Sequence, residues 1–224
     1  MRRGLQALSS LYVERRARLG AGPVFDGAGK RAAFALFYGP LHFLVVGAVV
    51  EGLGAPTPRR ILELGCGTGA AGAAWALAGS EPGGVDGVDL HPWAVGEARW
   101  SLGQLGLAGS VRRGDLRRVR LPSRGGGVLL AWTVNELDGP ARAALLPRLL
   151  GAAAAGAAVL VVEPIARGVA PWWPDWAEAF RAAGGRADEW RLRPRLPPIL
   201  ARLDRAAGLD HRVAKARSLW LPGR

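Results

Sequence analysis

Apolar positions along the chain follow two different rhythms. Leu5, Leu8, Leu11, Tyr12 and Leu19 fall near one face of a helix spanning residues 5–19. The 19 residues from Ala32 to Val50 carry no charge at all, which predicts one or two further helices over residues 30–53, broken near Pro40. That stretch is also long enough to be weighed as a membrane span. Gly39-Pro40 in its middle favours a buried helix pair instead, and no membrane partner is expected. Beyond Pro56 and Pro58 short apolar runs alternate with helical stretches. The pattern predicts strands at Arg60–Leu64, Val85–Leu90, Val111–Leu116, Val128–Trp132 and Ala157–Val162. Helices are predicted over residues 70–79, from Pro92 to Leu105, from Pro140 to Leu150 and from Trp173 to Ala183, and two last strands at Asp188–Leu192 and Ser218–Leu221. Such alternation implies a mostly parallel sheet with helices on both faces and an N-terminal helical extension.

The organisation expected is one domain. Residues 1–58 supply helices, residues 59–193 and 214–224 the core, and the Pro- and Arg-rich segment 194–213 an insertion or lid. A chain of 224 residues that is half hydrophobic can bury a real core. No signal peptide is expected at the basic start, since Glu14, Arg15, Arg16 and Arg18 arrive before a long apolar stretch. The single cysteine, Cys66, excludes an internal disulfide framework and a Cys-based metal cluster, and it fits a reducing, cytoplasmic setting. No His, Asp or Glu grouping has metal-ligand spacing, so no metal is expected.

The strongest chemical signal is Ile61-Leu62-Glu63-Leu64-Gly65-Cys66-Gly67-Thr68-Gly69. An apolar strand runs into a loop with glycines at alternate positions, and a helix follows. Glycine permits a sharp turn and close backbone approach to a ligand, and the loop aims a helix N-terminus at it. Asp89 lies 20 residues beyond Gly69 at the end of the second strand, where this topology meets ribose hydroxyls. Asp115 ends the expected third strand, beside an adenine edge. The fold class is therefore α/β, Rossmann-like and doubly wound. The loop also satisfies the loose dinucleotide pattern, but Glu63 would face a pyrophosphate unfavourably. It suits a ligand carrying an ammonium and a sulfonium. No Lys-Ser/Thr follows the loop, which excludes Walker-type nucleotide hydrolysis.

The string Glu-x-Gly-x-Gly-x-Gly after an apolar strand, with Asp89 and Asp115 in register, resembles motif I of the class I S-adenosylmethionine-dependent methyltransferases. The resemblance covers about residues 59–165. It implies S-adenosylmethionine as cofactor, with Glu63, Gly65, Gly67 and Gly69 holding its methionine end. It further implies Asp89 on the ribose, Leu90 against the adenine, and Asp115 and Leu116 bounding it. Trp132 and Thr133 would close the sulfonium side.

Methyl transfer from an activated sulfonium needs alignment and, for some acceptors, removal of one proton. Candidate proton acceptors are His42, Glu136 and Glu163, while His91 stands closer to the expected adenosine. Thr133-Val134-Asn135-Glu136 replaces the Asn/Asp-Pro-Pro-aromatic run of amino-methylating enzymes, which argues against that group. Asn135-Glu136-Leu137 and Glu163-Pro164 are similar to the methyltransferase-like family that assists small-ribosomal-subunit assembly. That family often carries metal-cluster cysteines, which this chain lacks.

Charge bears on the acceptor. The net charge is +12, concentrated at the two ends of the chain. Arg112, Arg113, Arg117, Arg118, Arg120 and Arg124 form a further cluster. Two readings fit: a phosphate-binding surface for RNA or a ribosomal particle, or an Arg-rich composition that binds nothing. A small-molecule acceptor, or a non-catalytic assembly factor that keeps the cofactor fold, are the alternatives. Trp172, Trp173 and Trp176 could stack on a planar acceptor, or pack with Phe180 at helical spacing into the core.

Overall fold

The computed structural model describes residues 3–8, 25–165 and 170–223. Residues 3–8 are helical, with Leu5 and Leu8 buried. Leu11, Tyr12 and Leu19 of the first predicted helix lie outside the described residues. The chain then forms α1 (Ala28–Ala33), a π-helical turn (Phe34–Tyr38), α2 (Gly39–Leu53), β1 (Arg60–Leu64), α3 (Ala70–Ala76), β2 (Gly84–Asp89), α4 (Pro92–Gln104) and β3 (Gly109–Arg113). It continues through β4 (Gly126–Ala131), α5 (Gly139–Ala154), β5 (Ala158–Pro164), α6 (Trp173–Ala182), β6 (Arg186–Leu192), α7 (Pro198–Ala207) and β7 (Ala214–Leu221).

The seven strands lie in the order β3-β2-β1-β4-β5-β7-β6. β1 to β5 are mutually parallel, β7 runs antiparallel to β5, and β6 antiparallel to β7. The central strands are buried on both faces, which is why β4 and β5 read as continuous apolar runs. Leu129, Leu160 and Val162 point toward the side of α2, α3 and α4. Val128, Leu130, Val159 and Val161 point toward Leu145 and Leu149 of α5 and Phe180 of α6.

The uncharged stretch does not break at Pro40. Helix runs from Ala28 to Leu53 through the π turn, where the Gly39 amide donates to the Phe34 carbonyl. Proline lacks an N–H and crowds the carbonyl four residues back, and the wider turn accommodates both defects. By length and composition this helix could cross a membrane. Here 56% of its most apolar window is buried, with α2 packed on α3 and on β6 and β7.

The third strand also differs from expectation. It ends at Arg113, and Leu116 belongs to a 3-10 turn, Leu116–Arg118. The Asp115 side chain accepts from the Arg117 amide and caps that turn, so the chain leaves the sheet earlier than apolar pattern alone suggests.

Candidate active site

The C-terminal ends of the parallel strands frame a cavity of about 610 Å³. In an open α/β sheet the crevice lies where the strand order reverses, here between β1 and β4. Its first wall is the loop after β1. The Gly65 and Cys66 amides both donate to the Val88 carbonyl, at 2.8 and 3.1 Å, pinning the loop to β2. Gly65, Gly67 and Gly69 hold φ of 70°, 51° and 74°, left-handed values that a side chain would strain. Asp89 is fixed from two sides: Oδ2 accepts from the Gly67 amide at 2.9 Å and Oδ1 from the His91 amide at 2.8 Å. Burial raises its pKa, opposed by these two amides.

Glu63 is only 2% exposed, and its Oε2 has no hydrogen-bond partner among the described residues. Burial pushes its pKa up to about 8; the nearby Gly72 amide opposes this and the charge of Asp89 adds to it. Burial without a strong donor on Oε2 leaves this group holding a proton near pH 7, and a cation placed against it would draw out its ionised form. Cys66, between the loop glycines, has its thiol pKa pushed up by burial and by Glu63 and Asp89, which keeps it protonated and unreactive.

Leu90, 65% exposed, and buried Leu116 line the cavity, as does Asp115. Asp115 is less available than expected. Its two oxygens accept from the Arg117 side chain at 2.6 to 3.0 Å, and this pairing holds its pKa below the usual carboxylate range.

The opposite wall is assembled from distant segments. Trp132 leaves β4 with φ 56°, and its indole stacks on His42 of α2 at 3.8 Å between centroids and 7° between planes. The Thr133 hydroxyl lies 3.1 Å from the carbonyls of both Leu64 and Ala131, available to donate to either, bridging β4 to β1. Burial, with His211 pushing the same way, lowers the His42 pKa to about 3, so the ring is neutral near pH 7.

Glu163 is not at the cavity. It is fully buried, its Oε1 accepts from the Val134 and Asn135 amides, and its Oε2 accepts from Asn135 Nδ2 at 2.6 Å. Asn135 Oδ1 in turn accepts from Trp172 Nε1 at 2.9 Å. This corrects the expectation of Glu163 as a proton acceptor. Its carboxylate ties the turn after β4 to β5 and faces no ligand space. Trp172 and Trp176 are core residues, and none of Trp172, Trp173 and Trp176 lines the cavity. Glu136 and His42 do line it.

Phe25 and Phe34 also line the cavity, and no motif marks either of them. Phe34 sits across the glycine loop, close enough that a Cβ on Gly67 would lie 3.3 Å from its ring. In the sequence its place in an uncharged run makes it look like any core phenylalanine.

No family model and no curated protein matches the sequence. Solved structures do match in fold. A magnesium protoporphyrin IX methyltransferase from Synechocystis PCC 6803, solved with bound SAM, superposes with TM-score 0.54 at 14% identity, covering 97% of this chain and 96% of that one. A proposed RNA methyltransferase from Pyrococcus horikoshii gives 0.54 at 15% identity, covering 99% and 98%. A [4+2]-cyclase, SpnF, gives 0.52 at 18% identity over 81% of each chain. The chain thus has the fold of the class I SAM-dependent methyltransferases. The cyclase shows that this fold is not tied to one reaction.

Proposed function

We propose that the chain binds S-adenosylmethionine in this cavity and transfers its methyl group to an acceptor held against the opposite wall. One observation carries the reading: an unpartnered carboxylate oxygen on Glu63 and a backbone-held carboxylate on Asp89 line one cavity with a left-handed glycine loop between them. Glu63 complements the ammonium of the methionine end. Asp89 accepts from the ribose hydroxyls, and Leu90 and Leu116 bound the adenine. The donor, when bound, supplies a methyl group already activated on sulfonium. What the residues add is alignment, a dry wall and a proton acceptor where the acceptor atom carries a proton. His42, with its pKa near 3, is a poor proton sink, which leaves Glu136 on the turn after β4 as the better candidate.

Calorimetry with S-adenosylmethionine and its demethylated product tests the donor. Binding is expected, and Asp89→Ala should weaken it by about 1–3 kcal/mol, as for a lost hydrogen bond to a charged group. Binding of a nicotinamide dinucleotide in place of both ligands would overturn the assignment. Methyl transfer from labelled donor into total RNA and into small-molecule extract then tests turnover. Binding without transfer to either would favour the non-catalytic assembly role.

A second reading, an acceptor on RNA or a ribosomal particle, is favoured by exposed arginines at the cavity mouth and along the β3 side. Arg117 lines the cavity, Arg113 donates to the carbonyl of the lining residue Leu90, and Arg118, Arg120 and Arg124 are exposed nearby in sequence. If these meet phosphates, Arg118, Arg120 and Arg124→Ser should reduce the log–log salt slope of RNA binding by about 0.7 for each phosphate left unneutralised. An unchanged slope would leave the charge as composition alone.

A further inference from the structure

We propose that Trp132 and the imidazole stacked on it form a recognition wall for a flat aromatic ring that carries no anionic group, and that this ring carries the methyl acceptor. The proposal rests on the methyltransferase reading above and names its substrate class.

The first support is backbone strain. Among the described residues Trp132 alone has a positive φ without being glycine, while eleven glycines hold the other such positions. For a bulky residue that conformation is unfavourable and persists only where its surroundings impose it. They do so here. The Trp132 amide donates to the Val162 carbonyl at 2.8 Å, Thr133 is anchored to β1, and Glu163 holds the next two amides. A glycine would relieve the strain but would lose the ring.

The second support is what the strained turn achieves. It lays the indole flat on His42, and the line of rings continues from there. Phe34 meets His42 edge-on at 5.8 Å, and Phe25 meets Phe34 edge-on at 4.9 Å. The rings thus run from the end of β4 to the glycine loop, and all four line the cavity. Rings arranged this way offer faces and edges to another ring.

Charge decides the rest. Glu63, Asp89, Asp115, Glu136 and Asp138 line the same cavity, and the guanidinium among the described lining residues, Arg117, is bonded to Asp115. Burial keeps His42 neutral, and Nδ1 of His91, the other lining imidazole, is occupied in accepting from the Trp93 amide. A cationic donor is balanced by these acids, but an anionic group on the acceptor ring would meet no free cation among the described lining residues. The ring therefore carries no anionic group. It comes either as a free molecule or as an unstacked base of RNA, and the chemistry of recognition is the same.

The test uses the full chain saturated with the demethylated donor product, titrated with naphthol, decahydronaphthol and naphthalenesulfonate. Naphthol should bind about tenfold tighter than its saturated analogue and than the sulfonate, the gain expected of aromatic stacking and of like-charge exclusion. Trp132→Leu and His42→Leu should bring the naphthol-to-decahydronaphthol ratio to about one, and Trp132→Phe should keep most of it. A loss of packing alone would weaken both probes together and leave the ratio unchanged. A ratio near one in the wild type, or a ratio unmoved by Trp132→Leu and His42→Leu, would overturn the proposal. Failure of the wild type to bind the demethylated product would instead overturn the methyltransferase reading. A short single-stranded RNA titrated in parallel separates the sources. Affinity lost with Trp132→Leu supports a base on this wall, and affinity unmoved while naphthol is lost supports a free ring.

Discussion

The donor end of the cavity comes from one continuous stretch, Glu63 to Leu116, whereas the facing wall draws Phe25, Phe34 and His42 from the N-terminal region and Trp132 from the end of β4. At the donor end the geometry is set by backbone groups of one strand–helix–strand unit, β1-α3-β2. Left-handed glycines turn the backbone, and two amides aim Asp89. At the facing wall the geometry is held by groups far apart in sequence, with Thr133 reaching Leu64 across 69 positions and Glu163 fixing Val134 and Asn135 across 29 and 28. Damage to the glycine loop should therefore act on the ligand, and damage to Glu163, which holds the facing wall from beneath, on the fold.

The largest effect is expected of Gly67→Val. The branched side chain would meet the Phe34 ring and occupy left-handed backbone. Donor affinity should fall by at least about a hundredfold, or ~3 kcal/mol, with the circular dichroism of the wild type retained. Unfolding of this variant, or unchanged affinity in a folded one, would erase the distinction between the two ends.

Glu163→Ala is the counterpart. It strands the buried amides of Val134 and Asn135, and should lower unfolding free energy by about 2–3 kcal/mol in denaturant titration. Glu163→Gln keeps one acceptor oxygen and should lose less. Full stability in the alanine variant would mean that the turn after β4 holds itself.

The smallest effect distinguishes the two ends by pH. Glu63 is a carboxylic acid whose folded pKa is raised from 4.5 to about 8, so the folded state holds a proton the unfolded chain has released. Its contribution is present below pH 4.5 and is lost as pH rises through about 8. His42 works the other way. Its pKa is lowered from 6.5 to about 3, so its contribution is present above 6.5 and is lost as pH falls toward about 3. Binding of a cationic donor selects ionised Glu63 and expels a proton. Affinity should therefore strengthen as pH rises from about 5.5 to about 7.5, by at most ~1.4 kcal/mol per unit. Glu63→Gln should flatten that dependence, while His42→Leu should leave it in place. A pH-independent affinity in the wild type would mean that Glu63 meets no cation.

Much of this is legible in the residues. β1 falls where its apolar run and flanking prolines predict, at Arg60–Leu64, and the glycine loop and Asp89 stand together as their spacing implies. Asp115 is harder to place, because an apolar Leu116 looks like a continuing strand while the carboxylate beside it caps a turn. Glu163 and Glu136 are indistinguishable as sequence letters. One is sealed beneath the turn and the other lines the cavity, a difference that depends on how β4 and β5 pair. Trp172 looks available for stacking in the sequence, whereas in the fold its indole N–H is spent on Asn135.

The order of residues alone specifies the alternating α/β plan and the donor end, because the glycine turn is set within a few residues and the carboxylate its amide meets ends the next strand, 22 positions on. The facing wall exists only through packing. Stacking of Trp132 on His42, the neutrality of that imidazole and the unpartnered oxygen of Glu63 arise from burial between segments that meet only when the sheet closes on its helices. Desolvation and ring contact act through space, and sequence spacing carries no record of them.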